Sequence, residues 1–289
     1  MLRSLQHSAA LRFAYGAYIA LFFLYLSLPL VVVAVFAFND SIFPGLPWKG
    51  STLGWFFGTH DPQIGLFFDR NVMRGIGNSL FVAAAVTVLS LIVGTTSAFL
   101  FERYQFRLKG LCYMLMLSPL VIPGVILGIS ILAFSSSLAN FADDRLGLEV
   151  ATLRPGLALV VAGQFSFIAT VSTLVIAARL RRFDPSLEEA ALNLGATGWT
   201  AIWTVTLPYL RPALIGAGLV SFLMSFENFN TTLFLVGSDP PLTITMFDRM
   251  KQGSTPVLNA VSLFLMIGSG LLGLVSVAVQ RDKTKQGAE

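Results

Sequence analysis

Glu227 is the residue whose type and setting most demand a chemical explanation. It stands in the apolar run 212–236 and is the only carboxylate within any of the long apolar runs of the chain. An ionisable group in a membrane-length helix costs a few kcal/mol even on the mild insertion scale, so it faces a cavity or a partner. Helical periodicity puts Glu227, Asn230 and Thr231 on one face. Ser221, Ser225, Asn228 and Thr232 form a second stripe. One stripe suits the lining of a pathway and the other suits packing against neighbouring helices, and spacing does not distinguish them. Phe226 and Phe229 flank the carboxylate and offer cation–π surface. This grouping fits attraction of a cation. It equally fits a Glu paired with another subunit's helix, or one protonated and buried.

Two further positions carry polar or backbone chemistry inside apolar runs. Pro119 and Pro123 leave carbonyls without intrahelical partners. In a bilayer such a break is tolerated where protein or a water-filled cavity covers it, so the third run is either central or simply kinked. Gln164, in the fourth run, serves either as a lining group or as a hydrogen-bonding bridge between helices.

A third grouping lies between the apolar runs, from Arg179 to Pro212. Asp184 is placed to cap a helix whose first position is Pro185. Glu188 and Glu189 fall in the early turns, where carboxylates suit the helix dipole. The helix continues through Ala190, Ala191 and Leu194, and Gly195 suits its end. A second amphipathic stretch around Trp199, Ile202, Trp203 and Val205 leads to Leu207 and Pro208, and the prolines at 208 and 212 punctuate entry into the fifth run.

The elements that position these groups are set by a charge deficit. Of 289 residues only 12% are charged and 55% are hydrophobic, and the mean hydropathy is +0.76. Soluble domains carry about a quarter charged residues. Six apolar runs, 14–38, 76–100, 111–134, 156–178, 212–236 and 258–279, each exceed the ~17 residues that a spanning helix needs. The first lacks the short core and small-residue cleavage site of a signal peptide. Twelve of the 19 Lys and Arg residues fall in the N-terminus, 101–110, 179–211 and the C-terminal tail, and seven fall in 39–75, 135–155 and 237–257. The richer side is expected to be cytoplasmic, with both termini inside. That placement also accounts for the net charge of +4 without nucleic acid. In the outer segment 39–75, Trp48, Trp55, Phe56 and Phe57 read as interface anchors or as a docking surface.

With these residues in place, a resemblance is visible. Glu189-Ala190-Ala191, three residues, Gly195, nine residues, Val205, one residue, Leu207-Pro208 resembles the "EAA" loop of ABC importer permeases, with Val205 where that family usually has Ile. Asn78-Ser79 resembles the opening of the family's permease region. Phe38-Asn39-Asp40 and Ser118-Pro119-Leu120-Val121-Ile122-Pro123-Gly124 look like the spermidine/putrescine branch. The resemblance implies an all-α type I importer permease of six transmembrane helices in the bacterial inner membrane. It implies an N-terminal helix and outer loop over 1–75, a permease domain over 76–280 and a tail over 281–289. Glu188, Glu189, Ala190, Ala191, Gly195, Leu207 and Pro208 would form the joint to the ATPase. Glu227, Asn228, Phe229, Asn230, Thr231, Phe226, Pro119, Pro123 and Gln164 would line or shape the solute pathway. The implied partners are an ABC ATPase homodimer, a second homologous permease, and a periplasmic or lipid-anchored solute-binding protein. The implied cargo is a small solute, and the polyamine branch suggests a polyamine.

The sequence argues against catalysis by this chain. His7 and His60 lie outside the apolar runs, Glu227 has no carboxylate mate within them, and neither H-E-x-x-H nor G-x-S-x-G occurs. The phosphate loop G-x-x-x-x-G-K-[ST] is missing, so ATP and Mg are expected in the partner ATPase and no cofactor in this chain. Cys112 alone supports neither an intrachain disulfide nor a Cys-based zinc site. A stand-alone secondary transporter or channel is the alternative, because broken helices and a buried carboxylate suit ion coupling. It leaves the 179–211 loop without a purpose.

Overall fold

Long apolar stretches with few helix breakers make helices the only economical structure here, since each backbone group must be satisfied within its own segment. The computed structural model describes residues 9–61, 63–253 and 256–286. Arg3, His7 and the last three residues of the tail therefore lie outside the described residues. The chain divides into two units, Met1–Asp69 with Arg249–Gly268, and Arg70–Asp248 with Ser269–Glu289.

The first unit contains α1 (Ala9–Phe36), the short α2 (Gly54–Phe57), and a two-stranded antiparallel hairpin of β1 (Thr59–His60) and β2 (Gln63–Ile64). From Phe13 to Phe36, α1 is apolar and exposed on this chain, as expected of a helix whose solvent is lipid or another subunit. After it the chain turns back on Asn39, which is buried. Its Nδ2 donates to the Gly45 carbonyl at 2.9 Å, and its Oδ1 accepts from Lys49 N–H at 2.9 Å. Trp55 is not an interface anchor. It is 2% exposed and donates from Nε1 to the Asn39 carbonyl at 2.8 Å. Trp48 and Phe57 remain exposed.

The second unit is built on α3 (Arg70–Arg103), α4 (Lys109–Val121), α5 (Gly124–Leu146), α6 (Leu157–Leu180), α7 (Ser186–Asn193), α8 (Gly198–Ala201), α9 (Leu207–Phe226), α10 (Thr232–Leu235) and α11 (Leu242–Gln252, whose last residues belong to the first unit). The last helix, α12, runs over Val257–Gln286. The core is the packing of α3, α6 and α9. Ala98, Ile176, Ala177, Leu180, Leu210 and Ala217 fill one end, and Val82, Val86, Leu159, Val160, Ile168 and Leu235 fill the other. Small residues let the helices approach closely. A Cβ on Gly94 would sit 2.7 Å from Ser172 Cβ, and the Ser172 and Ser221 hydroxyls are hydrogen-bonded at 2.8 Å.

Among the described residues, five helices are long and apolar enough to cross a membrane: Phe13–Phe36, Arg70–Arg103, Gly124–Leu146, Leu157–Leu180 and Gly198–Phe226. The sixth expected run falls in α12, whose apolar stretch Val257–Leu271 is shorter. The third expected run, 111–134, is two helices, α4 and α5, interrupted at Ile122 and Pro123. Asn78 and Ser79 stand near the start of the second apolar run but not at the start of its helix. They lie well inside α3, where Ser79 Oγ accepts from Leu242 N–H at 2.9 Å and so caps α11.

The prolines at 208 and 212 also behave differently from the expectation of a break. The helix is continuous from Gly198 to Phe226. A proline at 208 offers no N–H to the Thr204 carbonyl and crowds it. The chain absorbs this with a π turn over Ile202–Thr206, in which Leu207 N–H bonds the Ile202 carbonyl.

Candidate functional site

The first candidate region is the meeting of two interrupted helices. α4 ends at Val121 because Pro123 follows; Ile122 and Pro123 are extended, at ψ 127° and 133°. Local hydroxyls mend the damage. Pro119 leaves the Leu115 carbonyl without its usual donor, and Ser118 Oγ donates to it at 2.8 Å. Thr170 of α6 donates to the Met116 carbonyl at 2.7 Å.

The second interruption is at Glu227. The expected helix over 212–236 stops at Phe226, and Glu227 is its C-terminal cap residue. The helical-face arithmetic for Glu227, Asn230 and Thr231 therefore does not hold beyond that point. The cause is side-chain competition for the backbone. Asn228 Oδ1 accepts from Thr232 N–H at 3.3 Å and from Thr232 Oγ1 at 3.0 Å, starting a new turn, α10. Thr243 Oγ1 pins the Asn228 carbonyl at 3.1 Å.

The two interruptions touch. Thr231 Oγ1 donates to the Gly124 carbonyl at 3.3 Å, and a Cβ on Gly124 would lie 3.1 Å from Asn230 Cβ. The expected pathway residues separate into two groups at this junction. Thr231 and Gln164 are fully buried, and Asn228 is half-buried. Gln164 bridges helices: its Nε2 donates to Thr232 Oγ1 at 2.8 Å, and its Oε1 accepts from Ser225. Ser221, Ser225 and Thr232 thus make the packing contacts between helices. Glu227, Asn230 and Pro123 are exposed on this chain, and Pro119 is half-buried. Phe226 stacks on Phe222, with centroids 6.0 Å apart, and Phe229 meets Phe247 edge to face at 4.8 Å. Among the described residues, no hydrogen bond or ion pair engages the Glu227 carboxylate.

The second candidate region is the 179–211 loop. Asp184 accepts from Ser186 N–H at 3.0 Å and fixes the start of α7 one residue after the expected position. At its end Gly195 adopts φ +90°. Gly195 N–H bonds the Leu192 carbonyl at 2.9 Å and Ala196 N–H bonds the Ala191 carbonyl at 3.1 Å, the paired bonds of a Schellman cap. Thr197 then caps the next helix by accepting from Thr200 N–H at 3.2 Å.

The loop carries two surfaces. Glu189, Ala190, Leu194 and Trp199 are exposed, with Leu194 at 89%; Pro208 is exposed and Leu207 half-buried. Glu188 turns inward. It forms a bidentate ion pair with Arg103 at 2.5 and 2.9 Å and accepts from Thr206. The Arg103 guanidinium beside it holds the Glu188 carboxyl below its ordinary value, against a smaller opposing effect of burial. Sequence spacing missed Arg103 and Thr206, because neither stands near Glu188 in the chain. The arginine ending the second apolar segment and the threonine next to Leu207-Pro208 were the available signals.

Residues 90–281 match the family described as "Binding-protein-dependent transport system inner membrane component". The chain belongs to that family, and is accordingly a multi-pass membrane subunit of an ABC importer rather than a stand-alone transporter. It is 29% identical to the putrescine transport system permease protein PotI of Escherichia coli K12 over 270 residues, covering 91% of this chain and 89% of the relative. It is 26% identical to the spermidine/putrescine transport system permease protein PotC of the same organism over 275 residues, covering 93% and 95%. Among solved structures, a chain of a bacterial alginate ABC transporter, in complex with its alginate pentasaccharide-bound periplasmic protein, has a TM-score of 0.72 at 19% identity. That match covers 96% of this chain and 95% of the other. A chain of the MetNI methionine transporter has a TM-score of 0.57 at 16% identity, covering 78% and 99%. These two likenesses concern the fold.

Proposed function

We propose that this chain forms half of the translocation pathway of an ATP-driven importer for a polyamine-like cation, working by alternating access in the bacterial inner membrane with both termini cytoplasmic. The importer class follows from family membership. The cargo is supported by the relatives PotI and PotC and by one structural observation that carries the reading. An exposed carboxylate, Glu227, and exposed Asn230 both lie in the short segment between α9 and α10, at the point where two interrupted helices meet. Interrupted helices and intramembrane ionisable groups are the usual marks of a solute site in a transporter. A carboxylate there compensates an ammonium group that has left bulk water, and Asn230 offers it a carbonyl oxygen.

Energy reaches this site from outside the chain. The exposed face of α7 around Glu189 and Ala190 is the docking surface for an ATPase homodimer, which holds the ATP and Mg. The segment through Leu207 and Pro208 carries its movement into α9. The permease domain proper is 76–280, with 281–289 as a cytoplasmic tail. A second homologous permease completes the pathway, and a periplasmic or lipid-anchored binding protein delivers the solute to the outer loops.

The test is reconstitution of this chain with its ATPase, companion permease and binding protein in proteoliposomes. The proposal expects ATP-dependent accumulation of labelled putrescine or spermidine, and no accumulation without the ATPase. Accumulation of a neutral or anionic solute with exclusion of both polyamines rejects the cargo.

A further inference from the structure

The 179–211 loop contains a polar cluster that faces inward, where Glu188 meets Arg103 and Thr206. Glu188 and Glu189 are neighbours in sequence with opposite fates: Glu189 is exposed, whereas the Glu188 side chain is 14% exposed. Both Glu188 oxygens are committed. Oε2 takes Arg103 Nη1, and Oε1 takes Arg103 Nη2 together with the Thr206 hydroxyl.

The partners are themselves held in place. The Arg103 guanidinium lies over the rings of Phe99, at 5.7 Å, and Phe183, at 5.3 Å, which fixes its plane. Phe183 in turn meets Tyr209 edge to face at 5.1 Å. Thr206 is fully buried, at the end of the π turn that precedes α9. Alongside, Arg181 pairs with Glu102 at 2.8 Å and ties the end of α6 to the end of α3. Bidentate guanidinium–carboxylate pairs are directional as well as strong, so this cluster resists rotation of α7 as well as its withdrawal.

We propose that Arg103, Glu188 and Thr206 form an internal clamp that makes α7 a rigid lever on α3 and α9. Glu188 is a positioning residue for energy coupling and makes no contact with the ATPase. A helix of two turns joined to the bundle only by its two connecting segments would tilt when pushed. With the clamp closed, a force on the exposed face of α7 reaches α3 through Arg103 and α9 through Thr206. These are two of the three core helices, and α9 ends at Glu227. The inference rests on the reading of α7 as the ATPase-docking helix.

The test uses the assembled transporter in proteoliposomes with its binding protein, and reads two quantities: ATPase retained in the purified complex, and solute imported per ATP hydrolysed. Glu188→Gln and Thr206→Val are expected to retain the ATPase. Their import per ATP is expected to fall roughly five- to tenfold, within the usual range of coupling factors. The exchanged pair Arg103→Glu with Glu188→Arg is expected to recover a substantial part of the loss, which would not happen if Glu188 acted independently of Arg103. Loss of the ATPase from the Glu188→Gln complex overturns the proposal, because Glu188 is then a docking contact. Unchanged import per ATP in both single variants overturns it as well. A wild-type complex that retains no ATPase rejects the docking reading of α7 itself, and the lever with it.

Discussion

Thr231 and Gly124 join two helices at the points where each is interrupted. The Thr231 hydroxyl donates to the Gly124 carbonyl at 3.3 Å, and Gly128, one turn on, approaches the Thr231 backbone so closely that a Cβ would lie 3.0 Å from its carbonyl oxygen. Glu227 and Asn230 keep their exposure because the residues between and after them are pinned. A bulky side chain at the seam acts on the site through the backbone.

Gly128→Val is therefore expected to destabilise the chain by about 1–3 kcal/mol, the usual range for overpacking. Thermal unfolding in mild detergent checks it. Gly216→Ala, at a site inside α9 where a Cβ meets nothing within 4 Å, is the control and is expected not to lower the midpoint, since Ala favours the helix over Gly.

We assign Gln164 to packing, because it is buried and bonded to both Ser225 and Thr232. Gln164→Leu strands the buried hydroxyl of Ser225 and removes a donor from Thr232 Oγ1, which keeps its bond to Asn228 Oδ1. A stranded buried group costs about 1–3 kcal/mol. Melting temperature in detergent is expected to drop, while the KM for solute of the surviving protein stays as it was. A changed KM with unchanged stability contradicts this assignment.

On the exposed face of α7, Glu189→Ala is expected to weaken retention of the ATPase during purification while leaving the helix itself intact. Glu189 is exposed, and the start and end of α7 are fixed by Asp184 and Gly195. Co-purification stoichiometry and circular dichroism read the two halves of this expectation.

The pH dependence of the clamp follows from the direction of the Glu188 shift. Its carboxyl is held below its ordinary value, chiefly by Arg103. The stabilisation is therefore complete above the ordinary carboxyl value and is lost as pH falls through the lower folded value. Import per ATP is expected to be insensitive to Glu188 titration from neutral pH down to about 5. A transition near neutrality that disappears in Glu188→Gln contradicts this.

The elements read from sequence were those whose cause is local. The Pro123 break, the Asp184 cap and the Gly195 stop depend on one residue and its immediate neighbours, and each stands close to its expected position. The helix end at Glu227 has a different origin. The segment from Glu227 to Val236 has no Gly or Pro to mark a break, and the turn depends on Asn228 answering both Thr232 and Thr243. Likewise, nothing in the spacing of Pro208 shows that a π turn absorbs it. The inward turn of Glu188 depends on Arg103, 85 residues away, so adjacent carboxylates that look equivalent in the sequence do different work in the fold.

Uptake of labelled putrescine at sub-saturating concentration by the reconstituted transporter, compared between wild type and Glu227→Gln, tests the central claim most directly. A carboxylate that meets the cation in the pathway predicts a rate roughly tenfold lower in the variant, equivalent to about 1.4 kcal/mol, with the ATPase still retained in the complex. An unchanged rate would show that Glu227 does not meet the solute, and the cation pathway would have to lie elsewhere.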